Sequence, residues 1–419
     1  INNLKGHDEN ETFKFIISSF LEEYVHLFKD KKIKSNLDSQ FGKLSLINRT
    51  LQSCYLGHSN TENFFDNLIN YDEEGNSRYL FFYANYLIAQ ENYIKTKDIF
   101  KDIDPLDSTL LIAQAKKLID QGKYEDFKSI FSCKNSSDII GEFLFIISNL
   151  YSTENEIDKS NFYFNLSNYL NPKFKFNLAL LADNYFQIEE FAKAEKILKN
   201  FNKKNEIYYW YRVKKIAQII KKKNNNDQSF EYIKAKFDSI KKPSLKIIYE
   251  MGNIVKGFGK HDLAIEYYTK ILSELNLRPI IYADVLFRRG GSYERIGNEE
   301  KSDKDLLKSL EINPDEPHVL NYLAYSWLER NYKIDTAIEM LQRAYKQKKN
   351  DPFIIDSVGW GYYLVDDLIN AEKFLRRAIE LMPNDPIVND HYGDILWKMN
   401  RKIQAKYYWQ SVLKFDDTE

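Results

Sequence analysis

The sequence predicts an all-α protein built as an array of antiparallel helix pairs, and three observations carry that prediction. The stretch "DSVGWGYYLVDDLINAEKFLRRAIELMPNDP", residues 356 to 386, returns after 34 residues, with Gly359 falling on Gly393, Ala371 on Ala405, Leu375 on Trp409 and Ala378 on Val412. A small residue recurs at the Gly359 position upstream, through Ala324, Gly290, Gly252, Ala217, Ala182, Ser148, Ala115 and Ala84. All nine prolines, Pro105, Pro172, Pro243, Pro279, Pro314, Pro317, Pro352, Pro383 and Pro386, fall between the implied pairs. Proline inside a helix costs about 3 kcal/mol, whereas at a first turn it is tolerated, so its placement marks the boundaries independently of the period.

In chain order, residues 1–76 come first. "ETFKFIISSFLEEYVHLF" has apolar residues at helical spacing, and "LSLINRTLQSCYL" with "TENFFDNLIN" reads as a further helix pair, so this region is expected to be a helical cap or a set of degenerate repeats. Divergent pairs follow over 77–244, and clear ones over 245–419. About ten pairs are expected, starting near 77, 108, 141, 175, 210, 245, 283, 317, 352 and 386. Between Ala324 and Gly359 the spacing is 35 residues, yet Ala337 lies 34 before Ala371, which puts one inserted residue in the turn "ERNYKID". Gly359 itself is expected to be small for packing: two helices close on each other only where side chains are small, with Ala371 opposite and Tyr362 and Leu375 filling the gap to the next pair.

The pattern is similar to the tetratricopeptide repeat, on Val358, Gly359, Tyr362, Ala371, Leu375, Ala378 and Pro383 in one unit and on Ile147, Ser148, Tyr151, Ser160, Phe164, Ser167 and Pro172 in another. The resemblance implies a helix-turn-helix solenoid coiled into a right-handed superhelix, with an inner groove lined by the first helix of each pair. It also implies that the second, fifth, ninth and twelfth residues of each unit face the groove. These are Lys246, Tyr249, Asn253 and Lys256, then Asp284, Phe287, Gly291 and Glu294, then His318, Asn321, Tyr325 and Leu328. The last two units add Phe353, Asp356, Trp360 and Tyr363, then Ile387, Asp390, Asp394 and Trp397. As partner-binding residues we single out Tyr249, Asn253, Phe287, Asn321, Tyr325, Asp356, Trp360, Tyr363, Asp390, Asp394 and Trp397.

Composition narrows the function. Hydrophobic residues make up 43% and charged residues 29%, with a net charge of -1, so no bulk attraction toward nucleic acid or an anionic membrane is expected. The apolar run "IIGEFLFIISNLY" is interrupted by Gly141, Glu142 and Ser148 and is too short to span a bilayer. Cys54 and Cys133 match no metal or redox spacing and are expected to be separate buried thiols. The six histidines are scattered, and no His-Glu-x-x-His, ligand cluster or glycine-rich phosphate loop is present. A non-catalytic role with no metal and no cofactor is therefore expected. Between 199 and 242 thirteen Lys or Arg face four acids, including "VKKIAQIIKKKNNN"; a solvated face is expected there, without the stacking platform of a nucleic-acid binder.

The expected function is that of a protein-interaction scaffold or adaptor holding a peptide or protein segment. The aromatic and acidic C-terminal wall suits a basic-hydrophobic segment. An acidic C-terminal tail does not suit it: Asn253 matches the asparagine of a carboxylate clamp, but Tyr249 stands where the lysine belongs. "LNYLAYSW", "AIELMPNDPIVNDHYGDILW" and "AKYYWQSVL" resemble proteobacterial tetratricopeptide-repeat proteins, many of them envelope lipoproteins and some of them adaptors of periplasmic processing proteases. That resemblance implies a periplasmic or membrane-associated place if a leader has been removed, as a start at Ile1 allows. A structural subunit of a larger complex, or the recognition arm of an enzyme with its catalytic domain elsewhere, are the alternatives. The identity of the partner and the oligomeric state are not legible in these residues.

Overall fold

The computed structural model describes residues 9–33, 42–71, 77–223, 225–274 and 277–415. Within them lie 23 helices. A single helix, α1 (Glu9–Asp30), and a pair, α2 (Lys43–Leu56) and α3 (Thr61–Ile69), precede ten further pairs. The first five are α4 (Ser77–Ala89) with α5 (Tyr93–Ile99), α6 (Leu110–Asp120) with α7 (Tyr124–Lys128), α8 (Ser136–Thr153) with α9 (Ile157–Leu170), α10 (Lys175–Gln187) with α11 (Phe191–Leu198), and α12 (Glu206–Lys222) with α13 (Asn226–Asp238). The others are α14 (Leu245–Gly257) with α15 (His261–Leu272), α16 (Pro279–Arg295) with α17 (Glu299–Ile312), α18 (Pro317–Glu329) with α19 (Ile334–Gln347), α20 (Pro352–Leu364) with α21 (Leu368–Leu381), and α22 (Pro386–Lys398) with α23 (Lys402–Phe415).

Local chemistry sets the ends of these helices. Pro279, Pro317, Pro352 and Pro386 stand at the first turn of α16, α18, α20 and α22, and the Asp351 and Asp385 side chains accept backbone N–H groups of α20 and α22. Helices α8, α12 and α16 begin about a turn before the starts expected at 141, 210 and 283. The cause lies in the N-caps Asn135 and Asn205 and in Pro279, each of which opens a helix earlier than the period alone suggests. The turn inside the pairs has a common form, except that part of the α12–α13 turn lies outside the described residues. A residue with positive φ, such as Asn155, Asp366 or Asn400, ends the first helix, and the next N–H bonds five residues back, as Glu156 to Tyr151, Asp367 to Tyr362 and Arg401 to Leu396. Between α18 and α19 two residues have positive φ, Asn331 and Lys333, where the sequence requires one inserted residue.

The chain divides into two compact units, residues 1–247 and 248–419. In the first, α1 buries Phe13, Ile16, Phe20, Tyr24 and Leu27, and its rings meet α8 through Phe143 and Tyr151 at 4.8 to 5.7 Å. The buried Glu23 accepts from Asn48 Nδ2 at 2.6 Å and Gln52 Nε2 at 3.0 Å, which fixes α2 against α1. Cys54 on α2 and Cys133 ahead of α8 form a disulfide, not the two separate thiols expected from the sequence. The pairing is a product of the fold: their Cα atoms lie 5.8 Å apart across 79 residues of chain, a separation with no local signature. The charge that interrupts the apolar run of α8 is also answered at a distance, since Arg78 Nε donates to Glu142 Oε1 at 2.8 Å while its guanidinium lies 3.4 Å from the Phe145 ring. Burial lifts the Glu142 carboxyl and Arg78 opposes that shift. Among the described residues no helix is long and apolar enough to cross a membrane.

In the second unit the small positions let the paired helices close as expected, but Leu375 of the same pair, not Ala371, is what stands against Gly359. A Cβ on Gly359 would lie 2.7 Å from Leu375 Cγ and 3.0 Å from the Leu375 backbone N, so α20 and α21 touch there. Gly393 meets Trp409 of α23 in the same way, Gly290 meets Leu306 and Gly252 meets Tyr268.

Candidate functional site: the first-helix wall of residues 248–419

Helices α18, α20 and α22 lie side by side, α18 packed on α20 and α20 on α22. This brings Tyr325, Asp356, Trp360, Asp390 and Asp394 around one residue that sequence reasoning passed over, His391. His391 is buried, and its Nδ1 lies 2.9 Å from Asp356 Oδ2. Its ring stacks on Trp360 at 4.1 Å and meets Tyr325 at 6.3 Å. Burial pushes the imidazole pKa down, but the hydrogen bond and charge of Asp356, with the charges of Glu329 and Asp390, outweigh it and hold the ring above the ordinary histidine value. The only advance signal was the position of His391 next to Asp390 in a helix expected to face the groove.

Trp360 donates from Nε1 to Glu329 Oε1 at 2.9 Å and stacks on Tyr363 at 4.8 Å as well as on His391. The faces that a ligand cation would use are thus covered by the protein's own rings. Tyr363 in turn carries Lys398 over its face at 4.6 Å. Asp394 accepts from Trp409 Nε1 at 3.2 Å, and burial with the charge of Asp390 raises its carboxyl pKa. Asp390 is exposed and has no hydrogen bond or ion pair among the described residues. Trp397 is 49% exposed, tilted against Trp409 at 5.4 Å with Lys402 over its ring, and is the most open aromatic of the set.

The remaining sequence-derived positions lie apart from this cluster. Tyr249 is buried and donates to Asp284 Oδ2 at 2.7 Å, Asn253 accepts from Tyr268 at 2.8 Å, and Phe287 meets Tyr322 edge-on at 5.7 Å. Asn321 is half-buried, and its Oδ1 has no hydrogen-bond partner. Phe287 lines a cleft of about 280 Å³ together with Ile280, Asp284, Arg288, His318 and Val319. The basic segment of the first unit is answered by acids of the preceding pair: Lys215 reaches Asp183 at 2.7 Å, and Lys222 and Lys223 approach Glu189 and Glu195 at 3.8 Å. Among the described residues no group of His, Cys, Asp and Glu is arranged to hold a metal ion.

Comparison with known proteins agrees with a repeat array. The tetratricopeptide-repeat family model matches residues 283–316, which span most of α16 and all of α17. A TPR repeat-containing protein of Pseudomonas aeruginosa is 32% identical over 111 residues, 26% of this chain and 19% of that protein. Human aspartyl/asparaginyl beta-hydroxylase is 28% identical over 127 residues, 30% of this chain and 15% of the enzyme. The matched segments therefore span about a fifth or less of these curated relatives. Among solved structures, MamA from Desulfovibrio magneticus RS-1 matches with 14% identity and a TM-score of 0.35, over 42% of this chain and 96% of its own. A second MamA structure matches with 19% identity and a TM-score of 0.33, over 40% and 94%. The chain is an all-helical array that distantly resembles tetratricopeptide and related solenoid repeats.

Proposed function

We propose that this protein is a non-catalytic interaction scaffold, and that the first-helix wall of residues 248–419 holds a basic-hydrophobic segment of a partner protein. One observation carries the reading: Glu329, Asp356, Asp390 and Asp394 gather on α18, α20 and α22 around Tyr325, Tyr363 and Trp397, with His391 against Asp356 and with Lys398 and Lys402 over the Tyr363 and Trp397 rings. Aromatic area beside carboxylates suits lysine or arginine flanked by apolar side chains, at about 0.5 to 2 kcal/mol per partly desolvated contact. The cation-stacking part of that recognition falls to Tyr325 and to Trp397, which is half exposed although Lys402 lies over its ring, because Trp360 is already engaged by Tyr363 and His391. Affinity capture of partners followed by cross-linking tests the reading: cross-links should map to α18, α20 and α22, and cross-links confined to the second helices of the pairs would favour a structural subunit packed through its outer surface.

The Cys54–Cys133 bond supports a working place outside the reducing cytosol, in line with a periplasmic or membrane-associated adaptor, because disulfides persist in oxidising compartments. Alkylation of protein from unbroken cells, with and without prior reduction, tests this: both cysteines should resist alkylation until reduced, and free thiols in cells would contradict it. Similarity to a segment of a human hydroxylase supports a second reading, in which such an array serves as the recognition arm of a longer enzyme.

A further inference from the structure

A second charged feature lies on the same wall, nearer its N-terminal end. Lys256, the groove-facing residue at the end of α14, is half-buried, and its ammonium makes no hydrogen bond or ion pair among the described residues. Its ammonium lies over Gly291 of α16, where a Cβ would stand 3.7 Å from Lys256 Nζ and 3.3 Å from Tyr322 Oη. Glycine therefore leaves bare backbone at the floor between α14 and α18.

The neighbouring charges do not neutralise Lys256. Asp284 is already taken by Arg288 Nε at 3.0 Å and by the Tyr249 hydroxyl. Glu294 is taken by the Tyr322 hydroxyl at 2.9 Å and approached by Arg295 at 3.6 Å. Three cations thus share two engaged acids, and Lys256 is the surplus charge. Burial, then Arg288 and Arg295, push its pKa below the ordinary lysine value, and His261 nearby is lowered by burial, Lys256 and Arg295. Beside this cluster opens the 280 Å³ cleft walled by Phe287, Ile280 and Val319, with Asp284, Arg288 and Glu316 also lining it.

We propose that Lys256, over the glycine floor at Gly291, binds an acidic side chain of the partner segment whose basic part lies along Asp390 and Asp394, so that the wall reads a segment with charges of opposite sign at its two ends. The proposal rests on the wall's being the ligand surface and adds the order of charges to it. Charge complementarity selects the occupant: an all-basic segment would meet repulsion at Lys256, and an all-acidic one at Asp390. The spacing follows from the helices. From Gly291 of α16 to Asp390 and Asp394 of α22 is three first-helix steps of about 8–10 Å each, so an extended chain needs roughly seven to nine residues between its acidic and basic groups.

The test uses the full chain and three synthetic peptides: three glutamates, six residues of leucine and alanine, and three lysines; the same sequence reversed; and the first with glutamine in place of glutamate. Affinities are read by fluorescence anisotropy at one fixed, low salt concentration. One direction of the glutamate peptide should bind at least fivefold more tightly than the glutamine peptide, and Lys256→Gln should erase that difference while leaving glutamine-peptide binding unchanged. Thermal melts of Lys256→Gln and Lys256→Met keep loss of folding separate from loss of binding. Equal binding of the glutamate and glutamine peptides, both weakened by Asp390→Lys, would overturn the acidic subsite and leave the basic-segment reading standing. Binding of the glutamine peptide that ignores Asp390→Lys would overturn both.

Discussion

At the scale of single residues the repeat rests on places where a side chain has no room. Gly359 faces the backbone of α21 at Leu375 and Gly393 faces Trp409, so Gly359→Leu and Gly393→Leu should each destabilise by roughly 1 to 3 kcal/mol. Gly257, which has nothing within 4 Å of a built Cβ, is the matched control: Gly257→Ala should be neutral or stabilising by up to about 1 kcal/mol. Urea unfolding of the three variants checks both, and an unchanged midpoint for both leucine variants would remove the repeat register. His391 gives a pH dependence. Burial lowers its pKa, but Asp356, Glu329 and Asp390 together raise it above the unfolded value of about 6.5. Its stabilising contribution is therefore full below about pH 6.5 and is lost as pH rises through the higher folded value. Unfolding midpoints should fall across the neutral to mildly alkaline range, and His391→Gln should flatten that slope; an equal slope in the variant would contradict it.

At the scale of elements, the sequence made ten helix pairs legible because a small residue recurs at one position of the first helix, followed three positions on by a tyrosine in four of them (Tyr151, Tyr185, Tyr293 and Tyr362), and because the prolines fall between pairs. What it left hidden is non-local. Arg78 finds Glu142, Cys54 finds Cys133 and Asp356 finds His391 only once helices stack, and no spacing within a pair announces any of them. The candidate site was legible as a list of positions but not as a set of contacts. The tetratricopeptide resemblance implies that Trp360 faces the groove, yet only packing shows its faces covered by Tyr363 and His391. The disulfide closes a long loop, so replacing both cysteines by alanine should cost about 2 to 4 kcal/mol in the first unit, read by denaturant unfolding against the oxidised protein. On α12, reversing Lys221, Lys222 and Lys223 together should cost no more than about 1 kcal/mol, since the pairs of Lys222 and Lys223 are exposed and long. A larger loss would mean that the basic face holds α12 to α11.

At the scale of the whole molecule, the account assigns architecture to a repeated packing rule and function to a surface that the rule leaves over. The first unit spends its special chemistry inward, on a buried arginine-glutamate pair, a disulfide and a buried glutamate that ties α1 to α2. The second unit keeps charge and aromatic area at its first-helix wall, where Asp390 is unpaired among the described residues and Trp397 is half open. Those two residues make the most direct test, because neither carries the core. The captured partner should be titrated by calorimetry against Asp390→Lys and Trp397→Ala, with melting curves recorded for both. The account predicts at least fivefold weaker binding for each variant, at unchanged folding, and a larger loss at low salt for Asp390→Lys. Undiminished affinity in both would contradict the central claim and place the partner on another face of the array.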